Sequence, residues 1–118
     1  MLRVTATHGD ITTLAVDAVV NSADPRVRVG SGGGVNAAVH RAGGPAVLAE
    51  CEKRFPRGLA PGDAGWTTGG DLPARWIIHT VGPVYSGAPS DADLLASCHR
   101  SVLQVADELG ARTVAFPA

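Results

Sequence analysis

The chain has 118 residues, enough for one domain with a sizeable core, and its 45% apolar content excludes a disordered chain. Ten basic residues against eleven acidic ones give a formal net charge of -1, which argues against duplex nucleic acid or an anionic membrane as a partner held by bulk electrostatics. Cys51 and Cys98 are too few for a disulfide framework or a zinc site and read as buried thiols of a reducing cytosol; with no leader pattern and no apolar run of the ~20 residues a span needs, a soluble cytoplasmic domain is expected.

Leu2 to Thr7 alternates weakly and predicts a first strand. Ala18-Val19-Val20 is a short β-branched run of the kind buried on both faces of a sheet. A loop with Pro25 and the run Gly30-Ser31-Gly32-Gly33-Gly34 follows. Val35 to Arg41 has helical character and stops at Gly43-Gly44, after which Pro45 suits the first turn of a second helix running to about Arg54. Pro56 to Asp63 is a loop, Ala64 to Thr68 a strand, and Gly69 to Pro73 a turn. Trp76 to Val81 is the clearest strand, rich in β-branched and aromatic residues and ended by Gly82-Pro83. A last helix starts at a cap on Ser90 or Asp91, buries Leu94, Leu95, Cys98, Val102, Val105 and Leu109, and stops at Gly110. Thr113 to Phe116 starts another buried strand. Strands alternating with helices predict an α/β sandwich around a mostly parallel or mixed sheet.

Five features could carry chemistry. The triple glycine Gly32-Gly33-Gly34 opens onto a helix, where backbone amides and the helix dipole suit a phosphate; the alternative is a flexible turn. It is neither a Walker loop nor a dinucleotide fingerprint, because no Gly-Lys-Ser/Thr follows and Val35 stands where a third glycine belongs. Asn36 and His40 are four apart and share one face of that helix, where His40 either orients a ribose and acts as acid or base or is simply solvated. Asp24 follows the Ala18–Val20 strand at its carboxyl end and is either a site residue or an Asx turn before Pro25. Asp10 is either an acceptor for a nucleobase amine or a helix cap. His79, in the most apolar strand, reads as a hydrogen-bonded core histidine. No Cys, His, Asp and Glu set has metal-ligand spacing, so no metal is expected.

Taken in order, Gly9-Asp10-Ile11-Thr12, Val16 to Asp24, Gly32 to Gly44, Gly62-Asp63-Ala64 and Leu72 to Pro83 resemble a macrodomain. They are most similar to the branch of ADP-ribosyl and O-acetyl-ADP-ribose hydrolases. The resemblance implies a three-layer α/β/α sandwich that binds ADP-ribose at the strand ends and hydrolyses ADP-ribosyl esters without a cofactor; a non-catalytic ADP-ribose reader is the alternative. It implies that Asp10 takes the adenine amine with Ile11 beside the base, and that Gly32, Gly33, Gly34 and Val35 form the pyrophosphate loop. Asp24 then faces the distal ribose, and Asn36 and His40 flank its reacting carbon or the attacking water. The hydrolytic branch usually has Asn where this chain has Asp24, and Asp where it has Asn36. The family also continues past Phe116-Pro117-Ala118 with a second glycine-rich loop, a helix and a strand. The expectation is therefore a macrodomain over 1–118, incomplete at its C-terminus, with a second polypeptide or a second copy completing the fold or the rest of the chain cleaved or omitted.

Overall fold

A computed structural model describes residues 8–27, 34–82 and 86–117. The expected first strand and Gly30 to Gly33 of the glycine-rich run lie outside the described residues. A 3-10 turn, Ile11–Thr13, leads to β1 (Ala18–Ser22). Then come α1 (Val35–Gly43), α2 (Pro45–Arg54), β2 (Ala64–Thr68), β3 (Trp76–Thr80), α3 (Ser90–Leu109) and β4 (Val114–Ala115).

The four strands form one mixed sheet in the order β2-β3-β1-β4. β1 runs parallel to β3, with Ala18 opposite Trp76 and Ser22 opposite Thr80. It is also parallel to β4, while β2 and β3 pair antiparallel. Because side chains alternate across a strand, β1 and β3 feed two separate cores. Val19 and Ile77 pack with Val39 of α1 and Val47 and Cys51 of α2. Ala18, Val20 and Ile78 pack on the opposite face with Val102 and Ala106 of α3. This is the expected α/β/α sandwich, with α1 and α2 on one side of the sheet and α3 on the other. Among the described residues no helix is long and apolar enough to cross a membrane.

Gly44 has φ +84, closes α1 by donating its N–H to His40 O, and opens α2 directly before Pro45. That left-handed position turns two short helices at one residue with little steric cost. Gly65 in β2 leaves room for the Phe55 ring, which a Cβ there would strike.

Three expectations change. Neither Ser90 nor Asp91 caps α3. Pro89 stands at the N-cap with helical dihedrals, and the Asp91 carboxylate instead reaches back to the N–H groups of Ser86 and Gly87. β4 is Val114–Ala115 alone, with Phe116 left 41% exposed against the His99 ring. Leu95 is 51% exposed, because the buried stripe of α3 runs through Cys98, Val102 and Ala106 at four-residue steps. Leu95 and Phe116 flank a cavity of about 320 Å³ with Val20, Thr80 and Val102, on the α3 face.

Candidate ligand-binding site

The polar residues gather on the other face, where the carboxyl end of β1 meets α1. β1 ends in Asn21 and Ser22, and the chain turns at once through Asp24 to Val27, whose N–H donates to Asp24 O at 2.9 Å. Across from this turn α1 begins at Gly34, with φ +91 and no side-chain cap. Its first turn carries no acidic residue, and the amides of a helix's first turn have no acceptor within the helix, an arrangement favourable to an anion. Of the expected loop, Gly34 and Val35 open α1, and Asn36 follows in its first turn.

Asn21 ties strand and helix together. It is fully buried, and its Nδ2 donates to Asn36 Oδ1 at 2.9 Å and to His79 Nδ1 at 3.1 Å. His79, also fully buried, sets its other nitrogen 3.0 Å from Thr67 Oγ1 and 3.7 Å from Cys51 Sγ. Thr67 donates its own proton to Thr68 O at 3.0 Å. This is the hydrogen-bonded core histidine that its strand position predicts, and burial pushes its pKa down to about 3, with the nearby His40 adding to the effect.

His40 is not solvated: it is 5% exposed and its ring lies 6.2 Å from that of His79. Burial lowers its pKa, and the negative charge of Asp24 opposes that shift. Asp24 thus acts on His40 through its charge, while Asn36 and His79 are both bonded to Asn21, with His40 beside His79. Among the described residues the buried side-chain atoms without a hydrogen-bond partner are Asn21 Oδ1 and the two ring nitrogens of His40. Leaving such atoms buried and unpaired costs roughly 1–3 kcal/mol each, so their concentration beside one strand end marks a place kept polar for something other than stability.

Asp10 is a cap. Its Oδ1 accepts from the Thr12 N–H at 2.9 Å and from the Thr12 hydroxyl at 2.7 Å. Those bonds hold its carboxyl below the usual carboxylate range, with Arg41 of α1 adding a smaller effect. The group remains exposed, so capping leaves it accessible to a ligand, with Ile11 half-buried beside it. Among the described residues no three His, Cys, Asp or Glu side chains gather closely enough to hold a metal ion.

Asn21, Thr67 and Cys51 were not singled out by residue type or spacing. The available signal was Asn21 itself, a carboxamide in an otherwise apolar buried strand, which must be paired to be tolerated.

The Macro domain profile matches residues 20–118. The chain belongs to the macro domain family. All of it aligns, at 55% identity, with 66% of a macro domain-containing protein of Streptomyces nogalater. The macrodomain of Oceanobacillus iheyensis, solved with ADP, superposes with a TM-score of 0.85 at 36% identity, over 92% of this chain and 60% of that one. A variant of that protein has been solved with ADPR. The Trypanosoma brucei macrodomain in complex with ADP gives a TM-score of 0.79 at 44% identity, over 92% of this chain and 43% of that one. This macrodomain chain thus spans about two thirds or less of the length of these relatives.

Proposed function

We propose that this macrodomain binds ADP-ribose between the end of β1 and the start of α1, and hydrolyses ADP-ribosyl esters on acidic side chains or on acetate. The single observation that carries the reading is the cluster at the strand end. Asn36 is bonded there to Asn21, and the His40 ring lies 6.2 Å from that of His79, which Asn21 also bonds. The charge of Asp24 acts on His40, and Asn21 Oδ1 and both His40 ring nitrogens are buried without protein partners. That the related macrodomains were solved with ADP and with ADPR supports the choice of ligand.

In this reading the start of α1 takes the pyrophosphate on backbone amides, with Gly32, Gly33, Gly34 and Val35 as the loop. Asp10 and Ile11 hold the adenine end. The distal ribose then lies over Asp24, Asn36 and His40. Asp24 is the carboxylate of that trio, so it holds the attacking water. His40, neutral through burial, orients the ribose. One water is consumed, and the ester leaves as ADP-ribose and a free carboxylic acid. Positioning and hydrogen-bond stabilisation of the developing oxyanion supply the rate enhancement. Nothing in this scheme calls for a cofactor.

A non-catalytic reader is the second reading. It is favoured by Asn36, which cannot serve as a base and whose Oδ1 is engaged by Asn21. Calorimetric titration with ADP-ribose, followed by single-turnover hydrolysis of an ADP-ribosylated acidic peptide, separates the two. Binding with turnover supports the hydrolase, and binding without turnover supports the reader. No binding at millimolar ADP-ribose by folded protein removes both.

A further inference from the structure

Asp24 stands in a tight turn whose shape is set by residues outside the candidate site. Asp and Pro, here Asp24 and Pro25, are favoured in the first and second places of such a turn, and glycine in the fourth. Val27 takes that fourth place instead. Its N–H donates to Asp24 O at 2.9 Å, and its φ is +56, the one positive value at a residue other than glycine among the described residues. A β-branched side chain is strained in that region. Packing holds the strain in place, because the Val27 side chain is fully buried in the core that contains Val19, Val39 and Ile77. The turn is gripped a second time by the connection between α2 and β2. Pro25 O accepts from the Leu59 N–H at 3.0 Å, and Leu59 packs on the same core. Gly58, just before it, has φ +76, and a Cβ there would strike Pro25 O and approach the Arg26 Cα to 3.1 Å. Both are backbone atoms, so a side chain at 58 forces the two segments apart.

We propose that Val27, Gly58 and Leu59 are positioning residues for Asp24: Val27 anchors its turn in the core, and Gly58 and Leu59 clamp it from behind. The proposal rests on the reading above, in which Asp24 holds the attacking water. None of the three needs to touch a ligand. They decide where the Asp24 carboxylate sits, and so they govern the rate of the chemical step and not the grip on ADP-ribose.

The test is made in the 118-residue chain with a matched pair of variants. Gly58→Ala and Gly110→Ala both put a side chain at a left-handed position, φ +76 and +74, but a Cβ on Gly110 meets nothing within 4 Å. Both are expected to melt at a lower temperature, since both carry the same backbone strain. Only Gly58→Ala is expected to slow single-turnover hydrolysis of an ADP-ribosylated acidic peptide, about tenfold, with ADP-ribose affinity within about twofold of the wild type. In an Asp24→Asn background Gly58→Ala is expected to cost no further rate, because both changes act on one carboxylate. Independently of turnover, the carboxyl carbon resonance of Asp24 is expected to move in Gly58→Ala and to stay in Gly110→Ala. Val27→Ala weakens the anchor, is expected to move the same resonance, and decides if Gly58→Ala does not fold. A wild-type rate in folded Gly58→Ala overturns the proposal, as do equal losses of rate in the two glycine variants, or a loss that adds to that of Asp24→Asn. If the wild type shows no turnover, the reading of Asp24 as water holder falls, and the Asp24 resonance alone decides the clamp: unmoved in Gly58→Ala, it overturns that too.

Discussion

Asp24 and Asn36 hold the two positions whose carboxamide and carboxylate are exchanged relative to the hydrolytic pattern, and the structure gives the exchange a physical context. The first turn of α1 carries no acid with Asn36 in it, which keeps negative charge away from the amides that would meet a phosphate. The charge sits instead on Asp24, within reach of His40. Asp24→Asn is therefore expected to lower single-turnover hydrolysis at least tenfold, about 1.4 kcal/mol of barrier; equal rates would remove Asp24 from the mechanism and favour the reader. Asp10 carries two roles that variants can separate. Asp10→Asn keeps an oxygen to accept from Thr12, so it should unfold as the wild type does yet bind ADP-ribose about tenfold more weakly, since charge-assisted acceptance is lost. Asp10→Ala should lose both affinity and thermal stability. Calorimetry beside thermal melts reads the two effects, and an unaltered affinity in Asp10→Asn would move the adenine end elsewhere.

At the scale of elements, the packing of β2 on α2 depends on one missing side chain. Phe55 closes α2 and lies edge-on to His79, with centroids 6.0 Å apart, in space that a Cβ on Gly65 would occupy. Gly65→Ala should destabilise by about 1–3 kcal/mol through overpacking. Urea denaturation measures this, and a wild-type midpoint would show that Phe55 can move without cost. Local chemistry makes most elements legible. Gly44 and Pro45 place the break between α1 and α2, and the limits of β2 follow from Asp63 and the turn at Gly69. The α3 start is misread because Asp91 looks like a cap, whereas its carboxylate is drawn back to the Ser86–Gly87 turn. β4 is overestimated because Thr113 and Phe116 have strand propensity, while only Val114 and Ala115 pair with β1. Asp10, Asp24, Asn36 and His40 are legible as candidates from residue type and position. The buried hydrogen bonds of Asn21 to His79 and Asn36 are not, because Asn21 and His79 are 58 residues apart and no local pattern encodes such a pairing.

For the whole molecule, a polar chain through an apolar core sets the response to pH. The folded state holds His79 neutral down to about pH 3 against an ordinary value of 6.5. Between those values the unfolded chain binds the additional proton. The stability His79 contributes is therefore complete above pH 6.5 and is lost as pH falls through that window, with a slope of up to about 1.4 kcal/mol per pH unit for one proton. His40 works in the same direction. The carboxylates of Asp10, Asp17, Glu50 and Asp91 are held low by hydrogen bonds, so their contributions disappear further into acid. Urea midpoints are expected to fall from pH 6.5 to pH 4.5, and to fall less steeply in His79→Gln. Identical slopes would mean that His79 titrates normally in the folded chain.

The central claim is the place of the ligand, and backbone amide shifts during an ADP-ribose titration test it most directly. The account predicts saturable shifts at Asp10, Ile11, Asp24 and Gly34 to Asn36, with residues around Leu95 and Phe116 on the α3 face unmoved. Shifts confined to the α3 face, or none at millimolar ligand in a folded protein, would contradict it.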